Sequence, residues 1–128
     1  MFRAIIIVLV VLAPMAAQAV EYHCNVEKKF NSEHTYTQSD IEKFQYSVRI
    51  EEIGNSALIS RCSFSTSEQT VTCDRYVVDK IESDSYVKIK KYYNFRSQLD
   101  VQLWRSLFFV ENNGRAGIAF GNCKVVAP

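Results

Sequence analysis

Residues 57–78 read Ala57-Leu58-Ile59-Ser60-Arg61-Cys62-Ser63-Phe64-Ser65-Thr66-Ser67-Glu68-Gln69-Thr70-Val71-Thr72-Cys73-Asp74-Arg75-Tyr76-Val77-Val78. The runs Ala57–Ser65 and Thr70–Val78 are rich in apolar and β-branched residues, and Thr66-Ser67-Glu68-Gln69 between them is polar. Two such runs around a polar cluster read as strands joined by a turn. Pairing Ser65 with Thr70 sets Phe64 opposite Val71 and Cys62 opposite Cys73. Directly opposed residues of an antiparallel pair lie close enough for a disulfide. The stretch therefore predicts a hairpin stapled by Cys62–Cys73.

That bridge leaves Cys24 with Cys123, a link between the first strand and the last. It would close a loop of about 100 residues, a stabilisation of about 4–5 kcal/mol by chain entropy. Four cysteines with no C-x-x-C pair fit a disulfide frame rather than a structural zinc site.

Upstream, Phe44, Tyr46, Val48 and Ile50 alternate with Gln45, Ser47, Arg49 and Glu51, the period of a half-buried strand. Gly54-Asn55-Ser56 reads as a three-residue turn that pairs Ile53 with Ala57, Val48 with Cys62 and Tyr46 with Phe64. A two-residue turn would shift every pair by one and mix polar residues into the apolar face. Further upstream, Val20, Tyr22, Cys24, Val26 and Phe30 share a face, with Lys28 the misfit. Asn31–Lys43 is polar and reads as a loop with a short helical turn near Asp40.

Downstream, Thr70–Ile81 reads as one strand and Glu82-Ser83-Asp84-Ser85 as a turn. Tyr86–Phe95 then places Val87, Ile89, Tyr93 and Phe95 on one side and Tyr86, Lys88, Lys90 and Tyr92 on the other. Leu99, Leu103 and Leu107 have helical spacing, with Ser97 and Asp100 as a possible cap. The hairpin signal Asn112-Asn113-Gly114-Arg115 weighs against a helix. Leu103–Glu111 and Arg115–Val126 therefore read as the last hairpin, with Phe109 opposite Ile118 and Leu107 opposite Phe120. The sum is an all-β antiparallel meander of about seven strands, a small barrel or sandwich with two disulfides.

Composition agrees. The chain has 128 residues, 48% hydrophobic and 23% charged, with two prolines and four glycines, which excludes disorder and fibrous folds and allows one domain. Arg3, the apolar run Ile5–Ala13, Pro14 and the small-x-small triplet Ala17-Gln18-Ala19 have the layout of a secretory leader. The expectation is a leader over 1–19 and a single exported β domain over 20–128, periplasmic or secreted. No later run reaches the roughly 20 apolar residues of a membrane helix, so no span is expected after leader removal. Without Arg3 the basic and acidic residues balance, which argues against nucleic acid as a partner.

The chemistry-bearing residues point away from catalysis. His23 falls on the polar side of the first strand and His34 in a loop, with no nucleophile or metal-ligand spacing beside them. Glu51 and Glu52 are adjacent and point to opposite faces of a strand; Asp79, Glu82 and Asp84 read as a solvated turn. No enzyme activity, cofactor or metal is expected. Two candidate binding sets stand out. Glu111, Asn112, Asn113 and Arg115 form a hairpin tip able to enter another protein's cleft, with the arginine free to grip a carboxylate. Tyr86, Lys88, Lys90 and Tyr92 form a basic–aromatic cluster suited to an anionic polymer or small ligand.

The leader, Tyr22-His23-Cys24 on the first strand and a cysteine near the end give a layout similar to that of small periplasmic lysozyme inhibitors. Their serine- and glycine-containing inhibitory segment has no counterpart here, and membership does not follow. The expectation is an exported, non-enzymatic binding protein, an inhibitor or immunity protein that occludes the cleft of an envelope-targeting enzyme. A β domain for a small ligand or anionic polymer is the alternative.

Overall fold

A computed structural model describes residues 8–11 and 19–126. Most of the expected leader, residues 1–7 and 12–18, lies outside the described residues. The rest is a single antiparallel sheet curled into a half-barrel, with one short helix packed against it. Nine strands are present instead of about seven: β1 (Ala19–Asn31), β2 (Ser47–Ile53), β3 (Ser56–Ser65), β4 (Thr70–Val77), β5 (Lys80–Asp84), β6 (Ile89–Asn94), β7 (Leu99–Trp104), β8 (Phe108–Asn112) and β9 (Gly117–Val126). Their order across the sheet is β4-β3-β2-β1-β9-β8-β7-β6-β5. Two meanders are thus joined where the first strand pairs with the last.

Both expected disulfides form. Cys62 stands opposite Cys73 with Phe64 opposite Val71, and Cys24 stands opposite Cys123 across the β1–β9 seam. An oxidising environment, periplasmic or extracellular, fits two such bridges.

The β2–β3 register differs from the expectation. The turn has two residues, Gly54-Asn55, so Ile53 faces Ser56, Val48 faces Arg61 and Ile50 faces Ile59. Gly54 adopts φ +60°, the left-handed geometry that two-residue hairpin turns need. The shift puts Arg61 on the same face as Val48, Ile50, Glu52 and Ile59, the inner face of the half-barrel. Glu52 and Arg61 each find a partner there, so the polar residues are accommodated by pairing. Phe44 ends the helix α1 (Gln38–Phe44) and is not a strand residue. Thr37 and Asp40 cap that helix reciprocally, and it lies against β1 and β3.

Lys28 marks a β-bulge between Val26 and Lys28 in the β1–β9 pairing. A bulge inserts one residue and reverses the alternation. Lys29 consequently faces Ala119, a core residue, and Phe30 turns outward to meet Phe120 at 5.8 Å between ring centroids. The expected inward face of β1 holds only up to Val26.

The other corrections concern breaks in the later strands. Thr70–Ile81 is two strands, because Val78 donates to Ala57 and Asp79 donates to Tyr93, carrying the chain from one edge of the sheet to the other. Asp84 ends β5, and its side chain accepts from the Tyr86 and Val87 amides, moving the turn to 85–88. The strand expected from Tyr86 starts only at Ile89, with Tyr92 fully buried and Phe95 exposed. Leu99–Val110 is a hairpin of β7 and β8, turned at 105–107, where Leu107 takes φ +70°. The last hairpin has a four-residue loop at 113–116, so Phe109 faces Gly121 and Val110 faces Phe120. Asn113 decides this loop: its Oδ1 accepts from the amides of Arg115 and Gly117.

The core fills the inner face, with Ile50, Ile59, Tyr92, Leu99, Val101 and Phe109 fully or almost fully buried. Among the described residues no helix is long and apolar enough to cross a membrane.

Candidate functional site

The inner face carries two charged tethers. Arg61 of β3 grips Glu111 of β8 with both Nε and a terminal nitrogen, at 3.0 and 2.9 Å. Glu52 of β2 accepts from Lys90 Nζ at 3.0 Å and from the Tyr92 hydroxyl at 2.8 Å, both on β6. Each tether joins the first meander to the second across the concavity, which holds the curl of the sheet. Burial, reinforced by the bond to Glu52, pushes the Tyr92 pKa well above its ordinary value. Burial depresses Lys29, with Glu111 opposing and Arg61 assisting. The Lys29 ammonium lies over the rings of Tyr36 and Tyr46, 5.4 and 5.0 Å from their centroids.

At the Trp104 end of β7 a cavity of about 340 Å³ opens between β1, the 85–88 turn and the 105–107 turn. Its wall is mainly apolar, from Tyr22, Ile89, Leu103, Leu107 and Val125, with Trp104 at the side. Lys88, Lys90 and Arg105 supply three cations against one acid, Asp84. Lys90 is matched by Glu52, whereas Lys88 and Arg105 form no ion pair among the described residues. The two turns are tied to each other by the Arg105 amide, which donates to the Lys88 carbonyl at 3.1 Å. A pocket of this size with apolar walls and a few charged groups matches the lower range for small organic ligands.

The basic–aromatic set is therefore divided. Lys88 and Lys90 line the cavity, Tyr92 lies beneath as a buried anchor for Glu52, and Tyr86 is 93% exposed on the turn. Sequence reasoning missed Glu52, Arg61, Arg105 and Leu107. A signal existed for Glu52: it shares the parity of Val48 and Ile50, and an acid on an apolar face calls for a partner.

The hairpin set is also divided. Glu111 lies in β8, 3% exposed, and not at the tip. Asn112 and Asn113 use their side-chain oxygens to stiffen the loop. Arg115 is exposed and, among the described residues, makes no ion pair. Gly114 packs against Gln98, whose backbone oxygen a Cβ would strike, so the loop rests on the 95–98 turn. His23 bonds to Glu21 at 2.6 Å and His34 packs edge-on against Tyr36. Among the described residues no group of three His, Cys, Asp or Glu side chains is placed to hold a metal.

No known protein family, curated protein or solved structure matches the chain.

Proposed function

We propose that residues 20–128 act as an exported, non-enzymatic binding domain that takes a small amphiphilic anion in the cavity at the Trp104 end of β7. The observation that carries the reading is the pairing of an apolar wall with Lys88 and Arg105, two cations lacking an acidic partner among the described residues. An apolar body would bury against Leu103, Leu107 and Val125, and an anionic head would meet the two cations at the turns. The tether from Glu52 to Lys90 and Tyr92 keeps the wall in place without ligand, which limits the ordering cost of binding.

Native mass spectrometry and calorimetry with decanoate and decanol test this. The expected result is one-to-one binding of decanoate, with decanol weaker, and loss of about tenfold in affinity in Lys88→Gln/Arg105→Gln. Equal binding of decanoate by wild type and that variant overturns the anionic assignment. No binding of either compound overturns the cavity as a ligand site.

A second reading is occlusion of an envelope-targeting enzyme by the 112–115 tip, as an inhibitor or immunity protein would act. Its support is the stiffness that Asn112 and Asn113 give the loop and the exposed, unmatched charge of Arg115. Pull-down of envelope proteins with the oxidised domain tests it. Unchanged capture by Arg115→Glu removes the tip from the mechanism.

A further inference from the structure

At the Leu99 end of β7 lies a smaller, polar cavity of about 60 Å³. It shares no lining residue with the apolar cavity. Arg61, Tyr76, Ser97, Asn113 and Arg115 line it above Leu99. Its volume is about that of two liquid waters, room for a carboxylate or a phosphate head.

The charges are unbalanced toward the positive. Arg61 is neutralised by Glu111, but Arg115 forms no ion pair among the described residues. The other acid in register is Asp74, opposite Arg61 across β3–β4; it is exposed and forms no ion pair among the described residues. Arginine, tyrosine, serine and asparagine all carry N–H or O–H donors. The guanidinium forks match the paired oxygens of an oxyanion. The loop that brings Arg115 here is set by Asn113 and held against the 95–98 turn by Gly114.

We propose that this pocket binds a small oxyanion, gripped by Arg115 and by the hydroxyl and amide donors around Arg61. The inference is independent of the apolar cavity, with which it shares no lining residue; its chain-carboxylate arm shares Arg115 with the tip reading. The oxyanion is either a free tetrahedral ion or the carboxylate of another chain.

The test is titration of the oxidised domain, followed by amide NMR, with inorganic phosphate and with N-acetylglycine at ionic strength held constant with chloride. Saturable shifts confined to the 95–98 and 113–117 segments are expected for at least one probe. Tighter phosphate binding assigns the free ion, and tighter N-acetylglycine binding assigns a chain carboxylate. Arg115→Gln, on an exposed loop position, should weaken binding about tenfold, and Tyr76→Phe should weaken it less. A remote control, Lys124→Gln, should leave it unchanged. No saturable shift with either probe, or shifts that persist unaltered in Arg115→Gln, overturn the proposal.

Discussion

Glu111 shows what a buried charge requires. Its side chain is 4% exposed, while that of Arg61 is 29% exposed. Removing the arginine strands the carboxylate in a poorly solvated place, and the cost exceeds that of removing both partners. Arg61→Met should lose about 3–5 kcal/mol in urea denaturation, and Arg61→Met/Glu111→Leu should recover most of it. Tyr92 carries a different signature. Its folded pKa is raised by burial and by Glu52. Its contribution to stability is therefore full below the unfolded value of about 10 and declines as pH rises above it, because the unfolded chain ionises first. Unfolding free energies of wild type and Tyr92→Phe between about pH 9 and 11 should show a steeper alkaline decline in wild type. Parallel profiles would contradict the assignment.

At the scale of elements, what decides each strand is where its alternation is broken. The β3–β4 hairpin was legible because polar residues separate two β-rich runs and the cysteines check the register. The β2–β3 turn was not, because Gly54-Asn55-Ser56 admits two loop lengths. Apolar pairing favoured the wrong one, since inner-face charges such as Arg61 are satisfied only by partners as remote as Glu111. Lys28 signalled the bulge as a violation of the pattern, yet the pattern alone could not show that alternation reverses after it. The breaks at Val78-Asp79 and at 105–107 depend on backbone bonds to distant strands and on a left-handed Leu107, neither visible in local composition. The cavity was legible in part: the lysines stood out, but Arg105 and Leu107 join them only once β7 and β8 form a hairpin.

Glycines provide the element-scale test. A Cβ on Gly121 would strike the Asn25 carbonyl and lie 2.7 Å from the Phe109 ring, so β1 and β9 could not keep their spacing. Gly121→Ala should cost about 1–3 kcal/mol. Gly54→Ala meets open space and only an unfavourable φ, so it should cost about 1 kcal/mol or less. Chemical denaturation of both variants checks the order, and an equal loss would contradict the close approach at the seam.

For the whole molecule, the β1–β9 seam joins the two meanders, and the Cys24–Cys123 bridge spans 99 positions where Cys62–Cys73 spans 11. Chain entropy makes the longer link worth about 4.7 kcal/mol and the shorter about 3 kcal/mol or less. Cys24→Ser/Cys123→Ser should therefore destabilise more than Cys62→Ser/Cys73→Ser, as read by urea midpoints. The sheet remains open between β4 and β5, both mostly exposed and both carrying charges, Asp74 and Arg75 on one and Lys80, Glu82 and Asp84 on the other. Charged edges discourage pairing with other chains, so the open half-barrel can present its cavities to solvent. The proposed occupant of the cavity at the Trp104 end is an amphiphilic anion. Trp104, the chain's single tryptophan, lines that cavity. Fluorescence titration of the oxidised domain with decanoate should give a saturable change that Leu107→Glu, which fills the wall and repels the carboxylate, abolishes. An emission spectrum unmoved by decanoate, or moved equally in Leu107→Glu, would contradict it.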